Sequence, residues 1–214
     1  MNTKDFAIYK VKEISLDTLL KSYNPKLINS YCKGCTKYNK VWSCPNFDFD
    51  ELSLLKKYNY VYLIHCKINI DNVPSSHIEK EFKKIIKIVP EAENFKNPMG
   101  KIFNALYFSL RIDFDKVILD LEKQFKDSLS LISGRCLKCN PCEKELNKPC
   151  KHPETLRYSL ESLGIDVMKV LKDNLDEDIQ WSSNESSKYV TTVSALLSKE
   201  QLNSKAIETY LFNQ

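Results

Sequence analysis

"YVYLIHCKINI", residues 60–70, is the strongest strand signal in this 214-residue chain. β-branched and aromatic residues run through it, and Tyr60–Ile64 is apolar on both faces. A strand of that kind belongs in the middle of a sheet that is covered on both sides. Toward the N-terminus, "FAIYKV" (6–11) alternates as a second strand. Ser15 is placed to cap a short helix in "SLDTLLKSY", and Asp48 or Asp50 to open another in "FDELSLLKKY". Residues 24–47 have no clear period and read as a loop.

Toward the C-terminus, "SSHIEKEFKKIIKIV" (75–89) carries apolar residues at Ile78, Phe82, Ile85, Ile86 and Val89, which is helical spacing. Pro90 ends that helix or bends it. "NALYFSLRI" (104–112) fits a strand or a helix, whereas "FDKVILDLEKQFKDS" (114–128) is amphipathic, with Val117, Ile118, Leu121 and Phe125 on one face. "LSLIS" (129–133) reads as a short strand leading to Gly134. "HPETLRYSLESLG" (152–164) reads as a helix, with Pro153 in its first turn and Gly164 at its C-terminal cap. "DVMKVLKDN" (166–174) is a further short helix, "DEDIQWSSNESS" (176–187) an exposed loop and "KYVTTVSALLSK" (188–199) a late strand. The expectation is an α/β (α+β) chain, one mixed-sheet domain over 1–214 with two cysteine-rich loops at the sheet edge. A ferredoxin-like split βαβ arrangement is one way to order the strands.

Charged residues make up 28% of the chain and the formal net charge is +4. Lysines are interleaved with acids and form no basic block, which argues against a nucleic-acid partner. The only arginines are Arg111, Arg135 and Arg157. The N-terminal stretch lacks the apolar core of a signal peptide, and no apolar run is long enough to span a membrane. The expected location is cytoplasmic, where clustered cysteines point to metal rather than to disulfides.

Seven of the eight cysteines fall in two groups. The second group reads Cys136-x2-Cys139-x2-Cys142-x7-Cys150. Three thiolates at that spacing suit one face of a cubane 4Fe–4S cluster, and bacterial ferredoxins use the same run with a later cysteine near a proline. Structural zinc is the alternative, although it usually draws on two separated C-x2-C pairs. The first group, Cys32-x2-Cys35-x8-Cys44-Pro45, is one ligand short. Cys66, His65, His77 or His152 could complete a zinc site. An iron–sulfur cluster could instead leave one iron open, or Cys44 could cross to the other group. Cys66 reads as a small buried hydrophobe, with His65 on the opposite face of its strand. His152 is placed to hydrogen-bond a cluster sulfur. Tyr38 and Trp42 are expected to pack over the first loop and exclude water. Arg135 and Arg157 are expected to offset thiolate charge. Nucleotide-binding glycine motifs and H-E-x-x-H are absent.

The two motifs together resemble a known family. Cys32, Cys35, Tyr38, Trp42, Cys44 and Pro45 are followed by Gly134, Cys136, Cys139, Cys142, Cys150, His152 and Pro153. The tail Arg157, Ser159, Glu161, Gly164, Ile165 and Asp166 continues the match. The pattern is similar to the predicted metal-binding proteins grouped as domain of unknown function 2284. Members often carry a second proline after the third cysteine, where this chain has Asn46. The resemblance implies metal binding, with iron–sulfur clusters, in anaerobes and archaea, and no settled reaction. The functional expectation is a 4Fe–4S protein with one or two clusters, acting in electron transfer or as a small oxidoreductase. It would work with a redox partner protein or a small-molecule substrate. The alternatives are a zinc-stabilised interaction module or a metal delivery or sensing protein.

Overall fold

A computed structural model describes residues 2–183 and 185–213. The parts of the sequence reading that fall on Met1 and on Asn184, within the 176–187 loop, lie outside the described residues. Four strands, β1 (Ala7–Ser15), β2 (Tyr60–Asn69), β3 (Ser128–Leu131) and β4 (Tyr189–Ser198), form one sheet in the order β1-β2-β4-β3. Every neighbouring pair is antiparallel. The mixture expected from the sequence therefore lies in helices and strands, not in strand direction. Because β2 and β3 are both antiparallel to β4, they run parallel to each other with β4 between them. The helices α4 (Ser75–Ile88) and α5 (Pro98–Gln124) form the crossover, which completes a split β–helix–β unit.

The double-sided apolar run of β2 is the reason it is central. Tyr62, Ile64, Cys66 and Ile68 pack against α4, α5 and the C-terminal helix α7 (Ser204–Phe212), which the sequence reading did not identify. Val61 and Leu63 pack on the other face with Val193, Ala195 and Leu197, beneath Leu160–Val167 and α6 (Val167–Leu175). Cys66 is a buried core residue, and His65 points to the opposite face, as the alternation requires. The ambiguous 104–112 stretch is helical and continuous with the amphipathic segment after it. Phe103, Leu106, Leu110, Phe114, Ile118 and Leu121 bury one stripe along α5. Pro98 and the Asn97 side chain, which accepts from Gly100 N at 2.8 Å, start this helix.

Two expectations are corrected. Residues 24–47 are not a loop throughout, because α2 (Pro25–Lys33) occupies their first part. The Asn24 side chain accepts from Leu27 N at 3.2 Å and Pro25 supplies the first turn, so Cys32 rides the last turn of a helix. Conversely, 152–164 is not one helix. It makes only two short 3-10 turns, Pro153–Thr155 and Glu161–Leu163. Arg157 donates to the carbonyls of Glu154 and Leu156, and Ser159 and Ser162 bond each other's backbone N–H. These local bonds occupy groups that a helix would need. The two short helices read around Ser15 and Asp50 are α1 (Leu16–Leu20) and α3 (Glu51–Leu55), each capped as expected.

A bridge between Tyr23 and Ile165 carries the chain from the β1 edge across the second face. Asn24 N donates to Gly164 O and Asp166 N to Ser22 O, both at 2.8 Å. Gly164 sits at φ +84°, and a side chain there would press on Tyr23 and Pro25. This crossing delivers the first cysteine group to the segment that follows β3. No described helix is long and apolar enough to cross a membrane.

The second face also buries a polar group. His65 is 1% exposed, and neither ring nitrogen has a partner among the described residues. Burial pulls its pKa from 6.5 down to about 4, although Glu177 nearby pulls upward and Lys67 and Lys10 push further down. Glu177 lies in the segment read as an exposed loop, but it is buried and accepts from Lys10 and Lys67. Because the folded state keeps His65 neutral, the unfolded chain binds the extra proton between pH 6.5 and 4. Stability from this residue is complete above pH 6.5 and falls as pH drops through that window. Urea titrations at pH 7 and pH 5 should show about 2 kcal/mol less loss for His65→Leu than for the wild type.

Candidate metal centres

All eight cysteines are free, and seven of them divide between two separate spaces. Cys136, Cys139, Cys142 and Cys150 wall a narrow void together with Val41, Trp42, His152 and Leu156. Cys32, Cys35 and Cys44 line a cavity of about 350 Å³ that opens to solvent. Its other walls include Lys37, Tyr38, Glu91, Phe108, Arg135 and Glu161. Cys44 stays with its own group, and Cys66 and His65 belong to neither space. His77 bonds Thr3 across Nε2 and Oγ1 at 3.0 Å and packs its ring on Phe6. Among the described residues, no three His, Cys, Asp or Glu side chains converge closely enough to hold a single ion as they stand. The thiols ring a space instead of meeting at a point.

The sulfurs already accept backbone hydrogen bonds. Cys150 Sγ accepts from His152 N at 3.3 Å and Cys35 Sγ from Lys37 N at 3.5 Å, while a backbone N–H at Lys138 lowers the Cys136 pKa. Such N–H groups stabilise a thiolate and set its basicity. Burial works in the opposite direction. It pushes the Cys44 thiol up to about 11 and also raises Cys32, Cys136 and Cys139. A metal that binds has to displace those protons, so loading is favoured as pH rises. The donor set is soft sulfur throughout, which suits zinc, copper(I) or iron–sulfur clusters and not calcium or magnesium.

The two spaces share a seam. Ser43 Oγ accepts from Cys136 N at 2.8 Å, and Trp42 Nε1 donates to Lys148 O at 3.1 Å. Lys144 Nζ donates to Cys44 O at 3.4 Å and to Asn46 O at 3.2 Å. Trp42 thus comes from the first loop and closes the void of the second. Tyr38 stays with its own loop, its hydroxyl 2.9 Å from Asn46 Oδ1. Gly134 and Arg135 wall the open cavity, and the next residue, Cys136, walls the narrow void. Gly134 turns there at φ +61°, with the Tyr107 hydroxyl and Arg111 crowding the place of a Cβ.

Arg135 donates to Cys136 O and pairs with Glu91, so its charge lies between the two groups. Arg157 is engaged elsewhere. Its Nε and Nη2 hold both oxygens of Glu122 on α5, at 2.7 and 2.5 Å, which ties the loop after Cys150 to the helix. The sequence reading passed over Lys37, Ser43, Glu91 and Arg111 as site residues and took Glu161 only as part of a motif. Ser43, between Trp42 and Cys44, was open to inspection; the others depend on contacts far along the chain. Replacing Ser43 by Ala leaves the Cys136 N–H unpaired in a buried seam. The expected cost is about 1–3 kcal/mol in a thermal or urea melt, with faster metal loss to a chelator. An unchanged release rate would mean the seam does not hold the loops.

No curated protein and no solved structure matches the chain. The family model described as predicted metal-binding protein, domain of unknown function 2284, matches residues 22–198. That span takes in both thiol-lined spaces and the whole of β2, β3 and β4. The chain therefore belongs to this family of predicted metal-binding proteins.

Proposed function

We propose that the protein is a small iron–sulfur oxidoreductase of the cytoplasm, with a narrow four-cysteine centre beside an open three-cysteine centre. The observation that carries this reading is the division of the thiols, four around a narrow void of about 10 Å³ and three on a cavity of about 350 Å³ with room for a small molecule. A 4Fe–4S cluster, when bound, supplies one-electron chemistry at potentials set by its surroundings. The C-x2-C-x2-C run and the backbone N–H groups on sulfur suit such a cluster. Trp42 and Leu156 line the four-thiol set, whose cysteines are half-buried. The three-thiol set has no fourth cysteine, so one side of it faces the cavity. There Tyr38, Phe108 and Pro45 offer apolar surface, and Lys37 and Arg135 offer charge. Arg135 lines the three-thiol cavity and the next residue, Cys136, lines the four-thiol void, so the two sets adjoin along the chain.

One observation favours a second reading. The void between the four thiols is only about 10 Å³, roughly the space of one water, which is closer to a zinc ion than to a cubane. On that reading the four-cysteine loop is a structural zinc site. Protein purified without oxygen separates the two. A brown product with iron and acid-labile sulfide, and a reduced-state electron paramagnetic resonance signal, is the expected result. Cys139→Ser should remove the four-cysteine contribution and leave the ligands of the other set in place. A colourless protein with stoichiometric zinc and no sulfide overturns the redox reading.

A further inference from the structure

The three-cysteine set is one ligand short, and the residues first weighed to complete it are placed elsewhere. Cys66 and His65 are buried in the sheet, His77 bonds Thr3, and His152 lines the four-thiol void. Glu161 is on the spot. It lines the three-cysteine cavity and a small void behind it, and Cys32 lines both. Burial raises the Cys32 thiol most, and the Glu161 carboxylate is the next cause, ahead of Cys35. Glu161 Oε2 is buried and has no partner among the described residues. Burial raises the Glu161 pKa, while its own backbone N–H, Ser159 and Arg111 pull it down. The carboxyl group is thus steadied by its neighbours and left with one idle oxygen, which is how ligating carboxylates are held. Glu91, another acid in this wall, is taken by Arg135 and Lys37. The backbone already sets Glu161 in place. It opens the turn Glu161–Leu163, and Asn24 N donates to Gly164 O at 2.8 Å just before α2, whose last turn carries Cys32. Metal therefore need not draw the two segments together.

We infer that Glu161 is the fourth ligand of the three-cysteine centre, through Oε2. Iron–sulfur clusters accept a ligand other than thiolate, as histidine shows in Rieske centres, and zinc takes carboxylate oxygen as well as sulfur. The side chains suit a core of several irons better than one ion, because all four line one space without meeting at a point. Oxygen is a harder donor than sulfur. The position Glu161 fills is therefore more exchangeable than a fourth cysteine would make it, on the side that faces the cavity. The inference deepens the proposed function and rests on it only for the identity of the metal.

The test uses the full chain purified without oxygen, as wild type, Glu161→Gln and Glu161→His, each in a Cys139→Ser background so that the three-cysteine set is read alone. Gln keeps the size and loses the charge, whereas His keeps a ligand at similar reach. Circular dichroism checks that each folds. Glu161→Gln should release metal to a chelator about 10–100-fold faster than the parent, and Glu161→His should stay close to it. Pulsed electron paramagnetic resonance of reduced Glu161→His should show the strong nitrogen coupling of a bound imidazole, absent from the parent. Mössbauer spectra of the parent should show one iron with a ligand other than sulfur. Unchanged release in Glu161→Gln, release from Glu161→His as fast as from Glu161→Gln, or no nitrogen coupling overturns the inference. Four irons with sulfur alone in the parent overturn it too, whether or not the variants fold. Zinc in place of iron would sink the redox reading, and the release rates would still judge Glu161. Iron and sulfide with release indifferent to Glu161→Gln would do the reverse.

Discussion

A guanidinium shut away from water holds this molecule's working part in place. Arg111 is 1% exposed in the middle of α5. Its Nη2 donates to Arg135 O at 2.6 Å and to Asp115 at 3.1 Å, and its guanidinium lies beside Gly134. An arginine cannot shed its proton to suit a buried site, so its surroundings must compensate the charge. Asp115 does so from one side and Glu161 adds field from another. Removing one partner of such a pair strands a charge and costs about 3–5 kcal/mol. The carbonyl that Arg111 grips belongs to the turn that walls both thiol spaces, so the position of each depends on a helix that contributes no sulfur.

The sheet sets up this meeting. β3 is only four residues long and leaves the sheet beside Ala195. The loop after it therefore starts at the sheet edge, where the first cysteine group arrives after crossing the second face. Arg157 and Glu122 fix the far end of the second loop to α5. The two loops are thus held by one helix and by the hydrogen-bonded seam at Ser43.

Much of this frame was legible because it follows local rules. The two-faced run of β2, the alternation of β1 and the caps at Ser15, Asp50 and Gly164 depend on near neighbours in sequence. The two runs of thiols were visible in their spacing, which left open that Cys44 crosses to the other group; the structure keeps it with Cys32 and Cys35. What escaped depends on distant partners. The helix over Pro25–Lys33 had a local signal in Asn24-Pro25, masked by the irregular cysteine stretch after it. The stretch 153–164 has good helix formers, but Arg157 and the two serines spend its hydrogen bonds elsewhere. Arg111 has no local signal of its role, which comes from the turn at Gly134 beside its guanidinium. Lys37, Glu91 and Glu161 meet only because three segments converge on one cavity.

Each set of thiols spans a short piece of chain, about a dozen residues in one case and slightly more in the other. Closing a ring that small removes little of the disorder available to an unfolded chain of this length, and it joins no distant segments. The long-range ties are the apolar faces of β2 and the bonds across the seam. Metal held by these two sets would therefore tighten two local rings and not build the scaffold. Stripping it should leave the far-ultraviolet circular dichroism spectrum nearly unchanged while the cysteine loops loosen, unlike a zinc finger, whose fold collapses with its ion.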